Sequence, residues 1–131
     1  MRYTRRLALG FIGCATALPL LLRSGLGYAA GESVDHSAAK LRSLIADPRL
    51  ARVLGRAYRA RFSAEDHPAM LMRLMRSSLA LGDTGPAAWT RDSLLPALDS
   101  RVRAEFGGGD TVQIHGWVLA RTEARLCALC E

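Results

Sequence analysis

The chain has 131 residues, 50% of them hydrophobic, and a formal net charge of +6. Four arginines (Arg2, Arg5, Arg6 and Arg23) precede residue 30; beyond them 14 basic residues face 12 acidic ones, a net of +2 that removes the compositional support for nucleic-acid binding. The remaining length, about 100 residues, suits one domain that buries roughly 60–70% of its unfolded surface and folds without a metal or disulfide staple.

In chain order the first element is a leader. Thr4-Arg5-Arg6-Leu7-Ala8-Leu9 resembles the twin-arginine export pattern: a small polar residue, two arginines, then apolar positions. The apolar run from Leu7 to Leu22 is interrupted by Gly10, Gly13 and Pro19. It is shorter than the roughly 20 residues a bilayer span needs. Gly27-Tyr28-Ala29 puts small residues at both positions read by a signal peptidase, so cleavage is expected after Ala29. A retained anchor and a lipoprotein signal ending at Cys14 are the competing readings. The expected organisation is a cleavable signal over residues 1–29 and a single small helical domain over 30–131. The mature form would be periplasmic or secreted, with no stable membrane span, and would depend on the twin-arginine export machinery.

The mature chain reads as mainly α: a small bundle of about five helices with one short extended segment. Ser33 is a fair N-cap for a helix over 34–46, with Ala38, Leu41, Leu44 and Ile45 at helical spacing. Asp47-Pro48 starts a second helix that ends near Phe62. Its apolar face is Leu50, Val53, Leu54, Ala57 and Tyr58; Arg49, Arg52, Arg56 and Arg59 lie opposite, within an arc of about 80° at 100° per residue. Ser63-Ala64-Glu65-Asp66 resembles a capping sequence for a third helix, with Pro68 in its first turn. Met70, Leu71, Leu74, Met75 and Leu79 form that helix's inner face, and Gly82 is the expected C′ residue. A fourth helix is expected over 90–106, carrying Leu94, Leu95, Leu98, Val102 and Phe106. Pro96 should set its start near Asp92 or bend it, and Gly107-Gly108-Gly109 stops it. Thr111-Val112-Gln113-Ile114-His115 alternates like a strand, with no partner evident in the sequence. A last helix is expected over 119–130, with Leu119, Leu126 and Leu129 inward.

Cys127-Ala128-Leu129-Cys130 places two thiols on one side of that helix. They read as buried thiols or a structural disulfide, as a link to a partner chain, or as a redox or metal pair. A redox pair is better served at a helix N-terminus, where the dipole lowers the first thiol's pKa. Haem attachment requires a His where Glu131 stands. The histidines of Asp35-His36, Asp66-His67 and His115 could meet at a metal, but two of them fall at expected helix starts, where capping explains them. No catalytic constellation and no cofactor motif is evident. The arginines at 49, 52, 56 and 59 form either a solvated face or an anion-binding one. His115, Trp117, Arg121, Glu123 and Arg125 are the candidate partner-binding residues. Glu123 falls near the apolar face, where an acid must be paired, with an arginine of another helix as the expected partner, or near the surface. Its plainer reading is a first-turn acid favoured by the helix dipole.

The leader and the size class together resemble the small accessory subunits of periplasmic dehydrogenases, such as the gluconate dehydrogenase small subunit. The resemblance implies a non-catalytic escort subunit whose signal carries a folded, cofactor-loaded dehydrogenase-type partner across the membrane. It assigns no residue a role. Two alternatives come from the residues themselves. One is a free-standing periplasmic ligand-binding or stress protein using the arginine face. The other is a small dithiol redox protein using Cys127 and Cys130.

Overall fold

A computed structural model describes residues 30–131 of the chain. The arginine pair Arg5-Arg6, Cys14 and the expected cleavage point after Ala29 lie outside the described residues. The described part is mainly helical: five helices and one two-stranded hairpin.

Helix α1 spans Ala30–Arg42 and α2 spans Pro48–Arg61. Helix α1 starts and ends four residues earlier than expected, so Ser33 lies inside it rather than at its cap. Asp47 caps α2: its carboxylate accepts from the backbone N–H of Arg49 at 3.0 Å and of Leu50 at 3.1 Å, while Pro48 fills the first position. The inner face of α2 is Ala51, Leu54, Gly55 and Tyr58. Val53, expected inside, is 56% exposed. The small residues Ala51 and Gly55 decide this, because turning them inward lets another helix approach the α2 backbone. That puts Val53 on the far side.

A 3₁₀ turn over Ser63–Glu65 links α2 to α3 (Pro68–Ser78). Ser63 and Glu65 do not cap α3. His67 does, its Nδ1 accepting from the Ala69 N–H at 3.3 Å. The buried face of α3 is Leu71, Met72 and Met75; Met70 and Leu74 are half-buried. Helix α3 ends before Gly82. The Leu81 N–H donates to the Arg76 carbonyl at 3.0 Å and the Ala80 N–H to the Ser77 carbonyl at 3.2 Å, a Schellman closure. Ala80, at φ 51°, holds the left-handed position usually given to glycine.

Thr90 caps α4 (Arg91–Gly108) in a reciprocal capping box with Ser93. Pro96 sits inside this helix, which starts one residue before Asp92. Gly109 terminates it at φ 76°.

The extended segment has a partner. Strand β1 (Thr111–Ile114) pairs antiparallel with β2 (Trp117–Ala120), matching Thr111 to Ala120 and Ile114 to Trp117. His115 at φ 48° and Gly116 at φ 79° form the two-residue turn, both left-handed as a type I′ hairpin requires. The last helix, α5 (Arg121–Ala128), therefore starts two residues later than expected and stops before Cys130. One core unites Leu41, Leu44, Leu54, Tyr58, Leu71, Met75, Leu94, Leu98, Leu119 and Leu126. Among the described residues no helix is long and apolar enough to cross a membrane.

Candidate functional site

Helix α5 carries four of the candidate residues: Arg121, Glu123, Arg125 and Cys127. It crosses α2 at Gly55, so closely that a Cβ there would lie 2.2 Å from the Cys127 carbonyl oxygen. Cys127 is thereby buried, and burial pushes its thiol up to about 12. Cys130 is half-buried just past the helix end; burial raises its pKa too, with Arg42 and Arg52 opposing the rise. Both are free thiols.

Arg125 leaves the other side of α5 and meets Glu65. Its Nε and a terminal nitrogen each donate to the Glu65 carboxylate at 2.9 Å. The Tyr58 hydroxyl donates to the same carboxylate at 2.6 Å. The Arg125 bond holds the Glu65 carboxyl below its ordinary range, against the opposing effect of burial. Tyr58 moves up, first through burial and then through its bond to Glu65. The expected capping acid is thus a tether between α2, the 3₁₀ turn and α5.

Arg121 lies one turn before Arg125. Its guanidinium sits 4.9 Å from the centre of the Phe62 ring, and its Nε donates to Asp110 at 3.3 Å. Arg61 approaches Phe62 at 5.4 Å and also donates to the Gln113 carbonyl at 2.9 Å. Phe62, just past the end of α2, therefore has two cationic neighbours, one from the last residue of α2 and one from α5. Burial acts to lower the Arg121 pKa, but its bonds to Tyr58 and Asp110 outweigh that and raise it.

The Glu123 carboxylate accepts from the Ala120 backbone N–H at 2.9 Å, so it serves the first turn of α5. Trp117 is half-buried against the core, and His115 is exposed at the hairpin tip. The five candidate partner-binding residues do not form one patch. Arg121 and Arg125 are engaged beneath the 3₁₀ turn, while His115 stands at the end of the hairpin.

The arginine face divides in the same way. Arg56 donates to Glu131 at 3.0 Å, and Arg59 pairs with Asp66. Arg49 and Arg52 are exposed and have no ion pair among the described residues. The three histidines stay apart: His36 on α1, His67 at a cap and His115 in the turn. Among the described residues no three His, Cys, Asp or Glu side chains are placed to share a metal ion.

Glu105 is one residue that sequence reasoning missed. It is 3% exposed, inside α4. One carboxylate oxygen accepts from the Thr122 N–H at 2.8 Å; the other accepts from the Thr122 hydroxyl at 2.7 Å and from Arg101 Nε at 2.8 Å. An acid of α4 thus caps α5. The signal was present, since Glu105 lies eleven residues after Leu94 and so shares its stripe at 100° per residue. Lys40 was missed as well. The sole lysine donates to the carbonyls of Pro86 at 2.5 Å and Trp89 at 2.8 Å, fastening α1 to the segment before α4.

The structure defines a small five-helix domain with a hairpin inserted before its last helix. No family model, curated protein or solved structure matches the chain.

Proposed function

We propose that the chain is a non-catalytic accessory, or escort, subunit of an exported oxidoreductase, and that it docks through the outer face of α2. The observation that carries this reading is Val53. Among the described residues it is the large apolar side chain left exposed, at 56%, and it lies on the outer side of α2 with Arg49 and Arg52. An apolar centre flanked by arginines has the composition of a protein interface, where Arg is enriched and desolvation of a few anchors supplies most of the affinity. The buried ionisable groups do something else: Glu105, Glu65 and Arg125 hold helices to one another. The twin-arginine-type leader adds a reason for a partner. That route exports folded proteins, and a cofactor-loaded dehydrogenase requires folding before export. Recovery of the chain from periplasm tests the reading. The expected result is co-elution with a flavin, haem or molybdenum enzyme. A strictly monomeric chain with no such companion refutes it.

Arg49 and Arg52 favour a second reading, because both lack a carboxylate partner among the described residues. In it the chain is a free-standing binder of anionic ligands. Replacing both by Gln would then abolish ligand binding at unchanged helicity, and a variant that still binds excludes it.

A further inference from the structure

Helix α2 carries five arginines and no acidic residue. Arg49, Arg52, Val53 and Arg56 stand at i, i+3, i+4 and i+7. At 100° per residue they fall within an arc of about 100°, so they are neighbours along one stripe. All four are exposed. One guanidinium of the stripe already holds a carboxylate: Arg56 meets Glu131 Oε1 with two nitrogens, Nε at 3.2 Å and a terminal nitrogen at 3.0 Å. Arg49 and Arg52 have no ion pair among the described residues. Asp47, just before the helix, uses its Oδ1 on the backbone N–H groups of Arg49 and Leu50 instead. Two uncompensated charges thus flank an exposed valine, with a compensated one a turn further on.

Building on the docking reading, we infer that the companion's surface is acidic: it presents Asp or Glu side chains that pair with Arg49 and Arg52 beside an apolar recess that takes Val53. Carboxylate is the matching group, because the planar guanidinium fork takes its two oxygens together, as Arg56 takes Glu131. A lipid surface fits less well. Helices that lie on membranes turn a broad apolar face outward, whereas α2 buries Leu54 and Tyr58 in the core and leaves Val53 outside. A nucleic acid would meet a domain in which, beyond the leader, 14 basic residues face 12 acidic ones. A small free anion would pair with the arginines and leave Val53 uncovered.

The lysine content supplies the test. Lys40 is the sole lysine, and its ammonium is engaged by the carbonyls of Pro86 and Trp89. Arg49→Lys and Arg52→Lys each place one new amine in the stripe while keeping its charge. Each chain is recovered from periplasm and treated with a water-soluble carbodiimide. The reagent joins an amine to a carboxylate in salt-bridge contact and takes up the water released, becoming a urea. The expected product is an isopeptide bond from position 49 or 52 to an Asp or Glu of the cofactor-bearing companion, located by peptide fragmentation. Wild type should give no such bond from α2. Arg49→Gln/Arg52→Gln should lower the co-eluting cofactor absorbance about tenfold at unchanged helicity, as for lost interface charge pairs. A companion that binds this double variant as it binds wild type, or that cross-links with neither Lys variant, overturns the inference and leaves the docking reading standing. Cross-links only to this chain's own acids, in the same molecule or a second copy, overturn it as well. Absence of a companion with every chain overturns both.

Discussion

The backbone of Gly55 faces the carbonyl of Cys127 with no room between them: a Cβ at residue 55 would meet that oxygen at 2.2 Å and the Ala128 Cα at 2.9 Å. Both obstacles are main-chain atoms, so neither yields by a rotamer change. On an exposed helix Gly→Ala gains about 1 kcal/mol from propensity. Here overpacking outweighs that gain, and Gly55→Ala should cost a net of about 2 kcal/mol. For a domain of this size that lowers Tm by roughly 8–16 °C, measurable by circular dichroism. An unchanged or raised Tm would mean that α2 and α5 do not cross this closely.

Glu105 and Thr122 carry the next prediction. Glu105→Ala leaves the Thr122 N–H and hydroxyl buried without their acceptor, a loss of about 3 kcal/mol from the missing cap and the stranded donors. Glu105→Gln retains one acceptor oxygen and should cost about half as much. Urea unfolding checks both. Equal stability of wild type and Glu105→Ala would show that the carboxylate does not support α5.

Glu65 and Tyr58 make stability depend on pH in opposite windows. The folded Glu65 pKa is lowered, so its contribution is present above the unfolded value and is lost as pH falls through the folded one. The folded Tyr58 pKa is raised, so its contribution is complete below about pH 10 and is lost as pH rises past it, because the unfolded chain ionises first. Glu65→Gln should flatten the acid limb of a Tm–pH profile relative to wild type. Tyr58→Phe should flatten the alkaline limb while keeping the ring contact with Phe62, at 4.6 Å between centroids. Superimposable profiles would contradict the tether.

Ala80 and His115 occupy left-handed backbone at φ 51° and 48° without being glycine. Ala80→Gly should stabilise by about 1 kcal/mol. His115→Asn creates the preferred Asn-Gly turn and should stabilise by a few tenths of a kcal/mol. Thermal melts of the two single variants and their combination check this. The two sites lie in separate turns, so their effects should add.

Helices α2, α3 and α4 were legible because Pro48 and Pro68 mark the starts of the first two chemically, Pro96 places that of α4 to within a residue of Asp92, and Leu spacing marks their faces. The hairpin was half legible. Val112 and Ile114 alternate as a strand should, but Trp117-Val118-Leu119-Ala120 has two buried residues in succession and runs straight into α5, so its second half, Leu119-Ala120, read as the start of the last helix. Val53 was misplaced because hydrophobicity alone ranks it above Ala51 and Gly55. The crossing with α5 selects for smallness instead, and that depends on a partner helix far away in sequence. The Arg125–Glu65 and Glu105–Thr122 pairs were hidden for the same reason. Each acid sits where a local role was available, and its partner lies 60 or 17 residues away.

The docking reading rests on Val53, and one comparison tests it most directly. Wild type and Val53→Asp are recovered from periplasm, and the cofactor absorbance co-eluting with each chain is measured. A solvent-facing Val→Asp change leaves the fold intact, which helicity confirms. The account predicts a co-eluting flavin, haem or molybdenum enzyme with wild type, and at least about a tenfold loss of it with Val53→Asp, as for a substituted interface anchor. Equal recovery with both chains, or no cofactor-bearing companion with either, contradicts it.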